Sequence, residues 1–258
     1  MGHYGHVTVD IDEATVREFR RDGYVVLRGA IDPLPLTNEV DDALAHGMRA
    51  GAPINRGSGG VGFQGVIMMC DRTPVSLHLV DLLSAAGARL LGRTVLPGRA
   101  KGTRYFDSSG WHVDSDLPID SVSFVAYLEP LTAATGAIRV RRGSHRGETG
   151  DEVVVDTGPG DLVAFDEHLV HGSVGGVVRR QWRIDFISDP IDDIEAAQVR
   201  ATFVRIFDPM WNGGDDPDAY PSYGAYWQSL DRPWHSRLRE LGVYELAERH
   251  REAMRLQA

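Results

Sequence analysis

The sequence predicts a mainly β fold, a sandwich or barrel, with helices ahead of it and an aromatic tail behind it. Three observations predict this. Gly (29) and Pro (13) are frequent in the 258 residues, which favours turns over a helix bundle. From Val95 onward, short β-prone segments follow one another between turn residues. Before that point, segments with helix start and stop signals dominate.

The elements are expected in this order. Residues 12–21 form a helix with Asp12 as N-cap, an apolar stripe through Val16 and Phe19, and Gly23 as the stop. Tyr24-Val25-Val26-Leu27 is a strand by its β-branched and aromatic content. Thr37 caps a second helix running to about Met48. Residues 51–62, rich in Gly and Ser, are a loop, and Phe63 to Cys70 a strand. Thr73-Pro74 opens a third helix, cap then N1 proline, to about Ala86. Strands follow over 95–106, 122–129, 137–141, 152–155, 161–166, 173–178 and 181–188. The chain is therefore one domain over 1–258: a helical flank with the first strands (1–94), a β core (95–188) and a C-terminal lid and helix (189–258). Between 211 and 234 lie six of the thirteen Trp and Tyr, mixed with Asp215, Asp216, Asp218 and Asp231.

Composition excludes several classes. The net charge of −10 argues against a broad nucleic-acid footprint, which needs a basic face. Cys70, the sole cysteine, lies in the apolar run Val66–Cys70, so it is expected to be a buried thiol and no intrachain disulfide forms. No stretch approaches the ~20 apolar residues of a membrane span, and no secretory signal opens the chain. The expectation is a cytoplasmic protein, monomer or homodimer, acting on a small molecule. Lys101 is the only lysine among 27 basic residues.

The chemistry concentrates in Trp111-His112-Val113-Asp114. On a strand, residues two apart share a face, so His112 and Asp114 project together. His171 follows a later strand-like segment. Two histidines and one carboxylate with open positions opposite are the ligand set of non-haem Fe(II) oxygenases. Asp116 shares the face and competes with Asp114. Arg183, inward among Trp182, Ile184 and Phe186, needs an anionic partner. Either an internal carboxylate or the dicarboxylate 2-oxoglutarate can supply it, the latter through a bidentate fork. Ser173, two after His171, offers a hydroxyl to the same group. Of the other histidines, His145 is expected in a turn, His168 facing solvent, and His3 and His6 in a loose terminus.

Several ordered segments carry a resemblance: Phe19-Arg20-Arg21-Asp22-Gly23-Tyr24-Val25-Val26-Leu27-Arg28-Gly29, then Trp111–Asp114, then Gly136-Ala137-Ile138-Arg139-Val140 leading into Gly143-Ser144-His145-Arg146, then Pro159-Gly160-Asp161-Leu162-Val163-Ala164-Phe165, then His171-Gly172-Ser173 and the Arg183 strand. From about residue 16 to 188 the chain resembles the phytanoyl-CoA dioxygenase-like Fe(II)/2-oxoglutarate oxygenases. The resemblance implies a double-stranded β-helix, a jelly-roll, cupin-like barrel with flanking helices. It implies Fe(II), 2-oxoglutarate and O2 as cofactor and cosubstrates, His112, Asp114 and His171 as iron ligands, and Arg183 and Ser173 as cosubstrate contacts. Arg180 is the alternative arginine, and Arg104 or Lys101 fills a further cosubstrate position.

The implied reaction is hydroxylation, or ring closure where a substrate hydroxyl lies close. With the carboxylate of Asp114 present, oxygenation rather than halide transfer is expected. The aromatic, acidic tail suits a sugar if it folds over the site, and suits plain packing if it does not; the 51–62 loop and Gln64 are candidates for the rim. Bacterial members of the family that oxidise or cyclise oligosaccharide antibiotics, the orthosomycin group included, suggest a saccharide substrate. Amino-acid or acyl-thioester hydroxylation, a non-catalytic jelly-roll binding protein and a zinc hydrolase are the competing readings.

Overall fold

The computed structural model describes residues 9–49, 54–56, 62–176, 178–207 and 216–257. Helix α1 (Glu13–Asp22) begins where Asp12 accepts a hydrogen bond from the Thr15 amide at 2.7 Å. It ends at Gly23, in the left-handed region at φ 82°, whose N–H donates to the Phe19 carbonyl. Glycine is needed there twice over, because a Cβ would lie 2.5 Å from His145 Nδ1 and 2.6 Å from Leu169 Cδ1. Strand β1 (Tyr24–Leu27) follows at once.

Helix α2 (Pro33–Arg49) starts a turn before the expected Thr37, because prolines are tolerated in the first turn, where amides have no helical acceptor. Helix α3 (Pro74–Leu91) runs past Ala86 to a Gly92 cap. Thr73 does not cap it; its hydroxyl bonds to Cys70, and the carboxylate of Glu39 in α2 accepts from the Val75 and Ser76 amides, both at 2.8 Å. By length and composition α3 alone, among described helices, could cross a bilayer; Leu77, Leu79, Val80, Leu83 and Leu90 are buried in the core.

The expected 51–62 loop lies mostly outside the described residues. Those present form β2 (Asn55–Arg56) and the start of β3 (Gly62–Ile67). The expected strand over 95–106 is two strands, β4 (Val95–Pro97) and β5 (Lys101–Tyr105). The chain breaks between them because β4 pairs with the end of the last strand and β5 with its beginning. Then come β6 (Ser121–Tyr127), β7 (Thr135–Arg141), β8 (Glu152–Val155), β9 (Leu162–Asp166), β10 (His171–Gly175) and β11 (Arg179–Ser188).

The strands make two antiparallel sheets. The major one has the order β1-β9-β6-β11-β5-β3-β2, with β4 also on β11; the minor one is β10-β7-β8. Two apolar clusters follow from strand alternation. One face of the major sheet (Phe124, Trp182, Ile184, Phe186) packs against the helices. The other (Val125, Tyr127, Val163, Phe165) faces Ile138 and Val140 of the minor sheet. The space between the sheets opens into a cavity of about 370 Å³.

The C-terminal part consists of α4 (Asp193–Ile206), α5 (Ala225–Ser229), α6 (His235–Glu240) and α7 (Val243–Gln257). Of the described tail aromatics all but the exposed Tyr226 pack in the interior, and none lines the cavity. Tyr220, Tyr223, Trp227 and Trp234 are buried, and Tyr223 meets Phe203, Phe207, Trp227 and Tyr244 ring to ring. Trp211, Asp215 and Met210 lie outside the described residues. The described cap over the cavity is the end of α4, through Thr202, Arg205 and Ile206.

Candidate active site

His112 and Asp114 do share a direction, but not through a strand. His112 forms an isolated antiparallel bridge with His171, each donating its amide to the other's carbonyl at 2.9 Å. Asp114 lies in the following loop, held by its amide on the Glu167 carbonyl. The bridge sets the imidazoles together, ring centroids 4.4 Å apart. Asp114 reaches between them: Oδ1 is 3.5 Å from His112 Nε2 and Oδ2 is 3.4 Å from His171 Nε2. One donor atom from each of the three residues falls within a span of 4.8 Å.

The remaining ring nitrogens decide what this cluster can hold. His112 Nδ1 is 2.8 Å from the Gly110 carbonyl, and His171 Nδ1 is 2.9 Å from the Leu169 carbonyl. A carbonyl only accepts, so each Nδ1 carries the proton and each Nε2 lone pair points inward, as metal-binding histidines require. Burial pushes His171 down, toward the neutral form that ligates; at His112 burial acts the same way, but the adjacent Asp114 carboxylate outweighs it and raises the ring. Burial works against ionised Asp114, but the Arg183 guanidinium holds its carboxyl well below the usual range. Two imidazoles and a carboxylate on one side of an open space fit Fe(II), which would take the place of the proton at His112. Asp116 is not part of the set: its side chain is largely exposed and pairs with Arg205 across the cavity mouth.

Arg183 has internal partners. Nη1 donates to Asp114 Oδ2 at 2.7 Å, Nη2 to Glu167 Oε1 at 2.8 Å and Nε to Asp185 Oδ1 at 2.5 Å. Ser123 Oγ accepts from Arg183 Nη2 at 2.6 Å and lies within hydrogen-bond distance of both Glu167 and Asp185, donating its one proton to either. Burial and the nearby Asp185 charge push Glu167 up to about 7. Of the two partners the sequence left open for Arg183, internal carboxylates are the ones present.

Arg179, four residues earlier on the same face of β11, has surroundings of the opposite kind. It is 5 % exposed, and no described carboxylate lies within ion-pair distance. Nη2 donates to Ser173 Oγ at 2.8 Å, Nη1 to the Asp107 carbonyl at 2.6 Å, and the guanidinium lies over the Tyr105 ring. Ser173 Oγ also accepts from the Ser109 amide at 2.7 Å. A buried cation served only by neutral groups is a receptor for an anion.

The remaining sequence-selected residues divide by parity. On β5 the inward positions are Lys101, Thr103 and Tyr105. Arg104 therefore points away from the cavity, against Met48 Sδ, and is not on its wall. Arg180 likewise turns outward, to Glu129 and Asp41. Gln64 is not on the cavity wall; its neighbours Phe63 and Gly65 are. Lys101 does line the cavity, opposite Arg183 in register. His168 is not a solvent-facing residue. Nδ1 is 2.9 Å from Asp166 Oδ1 and Nε2 2.7 Å from the Leu117 carbonyl, which ties down the loop after Asp114.

This two-sheet fold is shared with solved structures, among them a non-haem α-ketoglutarate-dependent enzyme. Among solved structures, the chain is similar to AviO1 from Streptomyces viridochromogenes Tue57 (22% identity, 71% of this chain and 98% of that one, TM-score 0.57). It is similar to SnoK, the non-haem α-ketoglutarate-dependent carbocyclase from nogalamycin biosynthesis (17% identity, 72% and 88%, TM-score 0.58). It is also similar to EctD from S. alaskensis, solved with bound Fe (20% identity, 69% and 77%, TM-score 0.56). No family model matches the chain, and no curated protein matches it.

Proposed function

We propose that this protein is an Fe(II)/2-oxoglutarate-dependent dioxygenase, on a double-stranded β-helix, that hydroxylates or oxidatively cyclises a small polar molecule. The observation that carries the reading is a pairing within one cavity. Three ligand atoms with a metal-ready tautomer stand at one level, and Arg179, a buried arginine with no counter-ion among the described residues, lines the same cavity. Iron with 2-oxoglutarate supplies the oxidation, converting O2 and the keto acid to succinate and CO2 as a substrate C–H bond is oxidised.

The chain's own residues do the rest. His112 and His171 present neutral Nε2 atoms, fixed by the carbonyls behind them. Arg183 occupies one oxygen of Asp114, leaving the other for the ion. Arg179, rather than Arg183, takes the distal carboxylate of the cosubstrate, with Ser173 as second donor. Tyr105 and Tyr127 wall this end against water, while Phe165 packs against His171 and Arg183. Lys101 and Arg205 also line the cavity, with the Asp116 carboxylate beside Arg205, which supports a polar substrate, a saccharide among them.

The test is succinate release from 2-oxoglutarate with Fe(II) and ascorbate, alongside calorimetric titration of 2-oxoglutarate into the Mn(II)-loaded protein. Metal-dependent binding and release are expected. Absence of both would leave a binding protein in place of an enzyme.

A further inference from the structure

The chain carries 26 arginines and one lysine, and that lysine lines the cavity. Lys101 opens β5 and is registered against Arg183 on one side and Ile67 on the other. It is thus level with the Asp114 cluster. Tyr105, which meets Arg179, is four residues farther along, about 13 Å at strand rise. Lys101 therefore belongs to the substrate end of the cavity rather than to the pocket for the distal carboxylate.

Its one close contact among the described residues is Asp185 Oδ2, 3.8 Å from Nζ. The other oxygen of Asp185 is taken by Arg183 and Ser123. A separation of 3.8 Å is too long for a direct hydrogen bond. It is short enough for one oxygen atom to lie at bonding distance from both ends. That oxygen must accept from the ammonium and donate to the carboxylate, which an alcohol hydroxyl does in place of a water molecule and a carboxylate or ether does not. A guanidinium would close the gap, because its planar fork pairs with a carboxylate directly. A compact ammonium leaves it open, which gives a physical reason for lysine at this one position.

We propose that Lys101 and Asp185 form a hydroxyl-reading pair that positions an alcohol group of the substrate beside the metal cluster. The proposal rests on the oxygenase reading for its setting and assigns the substrate to the polyhydroxylated class. It also places a substrate hydroxyl near the oxidised carbon, the arrangement that ring closure needs.

Because Lys101 is the only side-chain amine, reductive methylation with 13C-formaldehyde gives one side-chain NMR resonance in the full chain. Methyl glycosides are expected to shift it saturably in the metal-free protein with 2-oxoglutarate present, and in Asp185→Asn to shift it little. A response to acetate or phosphate instead, or no response to glycosides up to their solubility, overturns the proposal. In the Fe(II) enzyme, a glycoside that stimulates succinate release should lose about a hundredfold in kcat/KM when its recognised hydroxyl is removed, or in Lys101→Met or Lys101→Arg. Affinity of both variants for 2-oxoglutarate with Mn(II) should stay within about twofold, a split that general misfolding would not produce. Equal losses of glycoside and 2-oxoglutarate binding would overturn the assignment. The label reads the pair without metal or turnover, so the hydroxyl pair and the oxygenase reading can fail separately.

Discussion

Arg179 and Arg183 stand on one strand, face one cavity and are nearly equally hidden, at 5 % and 9 % exposure, yet among the described residues one has no carboxylate and the other has three. Burial alone therefore does not say what a charged residue is for. A buried cation with internal counter-ions has its desolvation offset within the fold, and its work is to hold those carboxylates in place. A buried cation served by a serine, a carbonyl and an aromatic face awaits an anion from outside.

The contrast breaks most visibly on stability. Arg183→Met leaves Asp114, Glu167 and Asp185 crowded without a cation and should cost about 3–5 kcal/mol in urea unfolding. Arg179→Met removes a charge with no counter-ion and should cost less than about 1 kcal/mol, or stabilise. Similar losses for both would remove the distinction. Ligand affinity should show the reverse order. Arg179→Met should weaken 2-oxoglutarate binding by roughly 100- to 1,000-fold in calorimetry, about 3–4 kcal/mol.

Arg183→Lys keeps one charge but not three simultaneous bonds. Mn(II) affinity should fall about tenfold, as when the group that orients a ligand is altered, with little change in 2-oxoglutarate affinity at saturating metal. Ser173→Ala removes one neutral donor beside Arg179 and should raise the 2-oxoglutarate Kd by about fivefold, roughly 1 kcal/mol. The smallest effect concerns the loop at the mouth. The hydrogen bond His168 donates to the Asp166 carboxylate pushes it up to about 9, above its ordinary 6.5. A histidine raised in this way stabilises fully below pH ~6.5, and the contribution is lost as pH rises through ~9. The melting temperature should decline over that window, and His168→Gln should flatten the decline.

The metal cluster was legible in the sequence because its residue types carry the chemistry themselves. What misled was the local structure: His112 and Asp114 are brought together by a bridge to His171, not by strand alternation. The arginine was harder. Three candidates crowd within five residues, and the choice depends on how short the β10–β11 turn is. Gly175 and Gly176, both at positive φ, let β11 begin early, so the residue eight after His171 already faces inward beside Ser173. Parity offered a signal, since Arg179 and Arg183 share a face and Arg180 does not. The carboxylates that claim Arg183 offered none, because they arrive from β11, the turn after β9 and the loop at Asp114. Arg104 failed by one position of strand register, and the tail aromatics could not be assigned to packing or to a ligand without a tertiary structure.

The alternation along β11 has a further consequence. Arg179, Gln181, Arg183 and Asp185 line the cavity, while Trp182, Ile184 and Phe186 fill the layer beneath the helices. A slip of one residue would exchange these sets, setting charged groups in hydrocarbon and an indole in the polar chamber, so the register is strongly enforced. Heritable variation can then act on the two sets almost independently. Even-numbered positions are bound by solidity of the scaffold, whereas changes at Arg179 or Gln181 can redirect selectivity with little erosion of the frame that carries them; Arg183 and Asp185, joined in one ion network, answer to both demands.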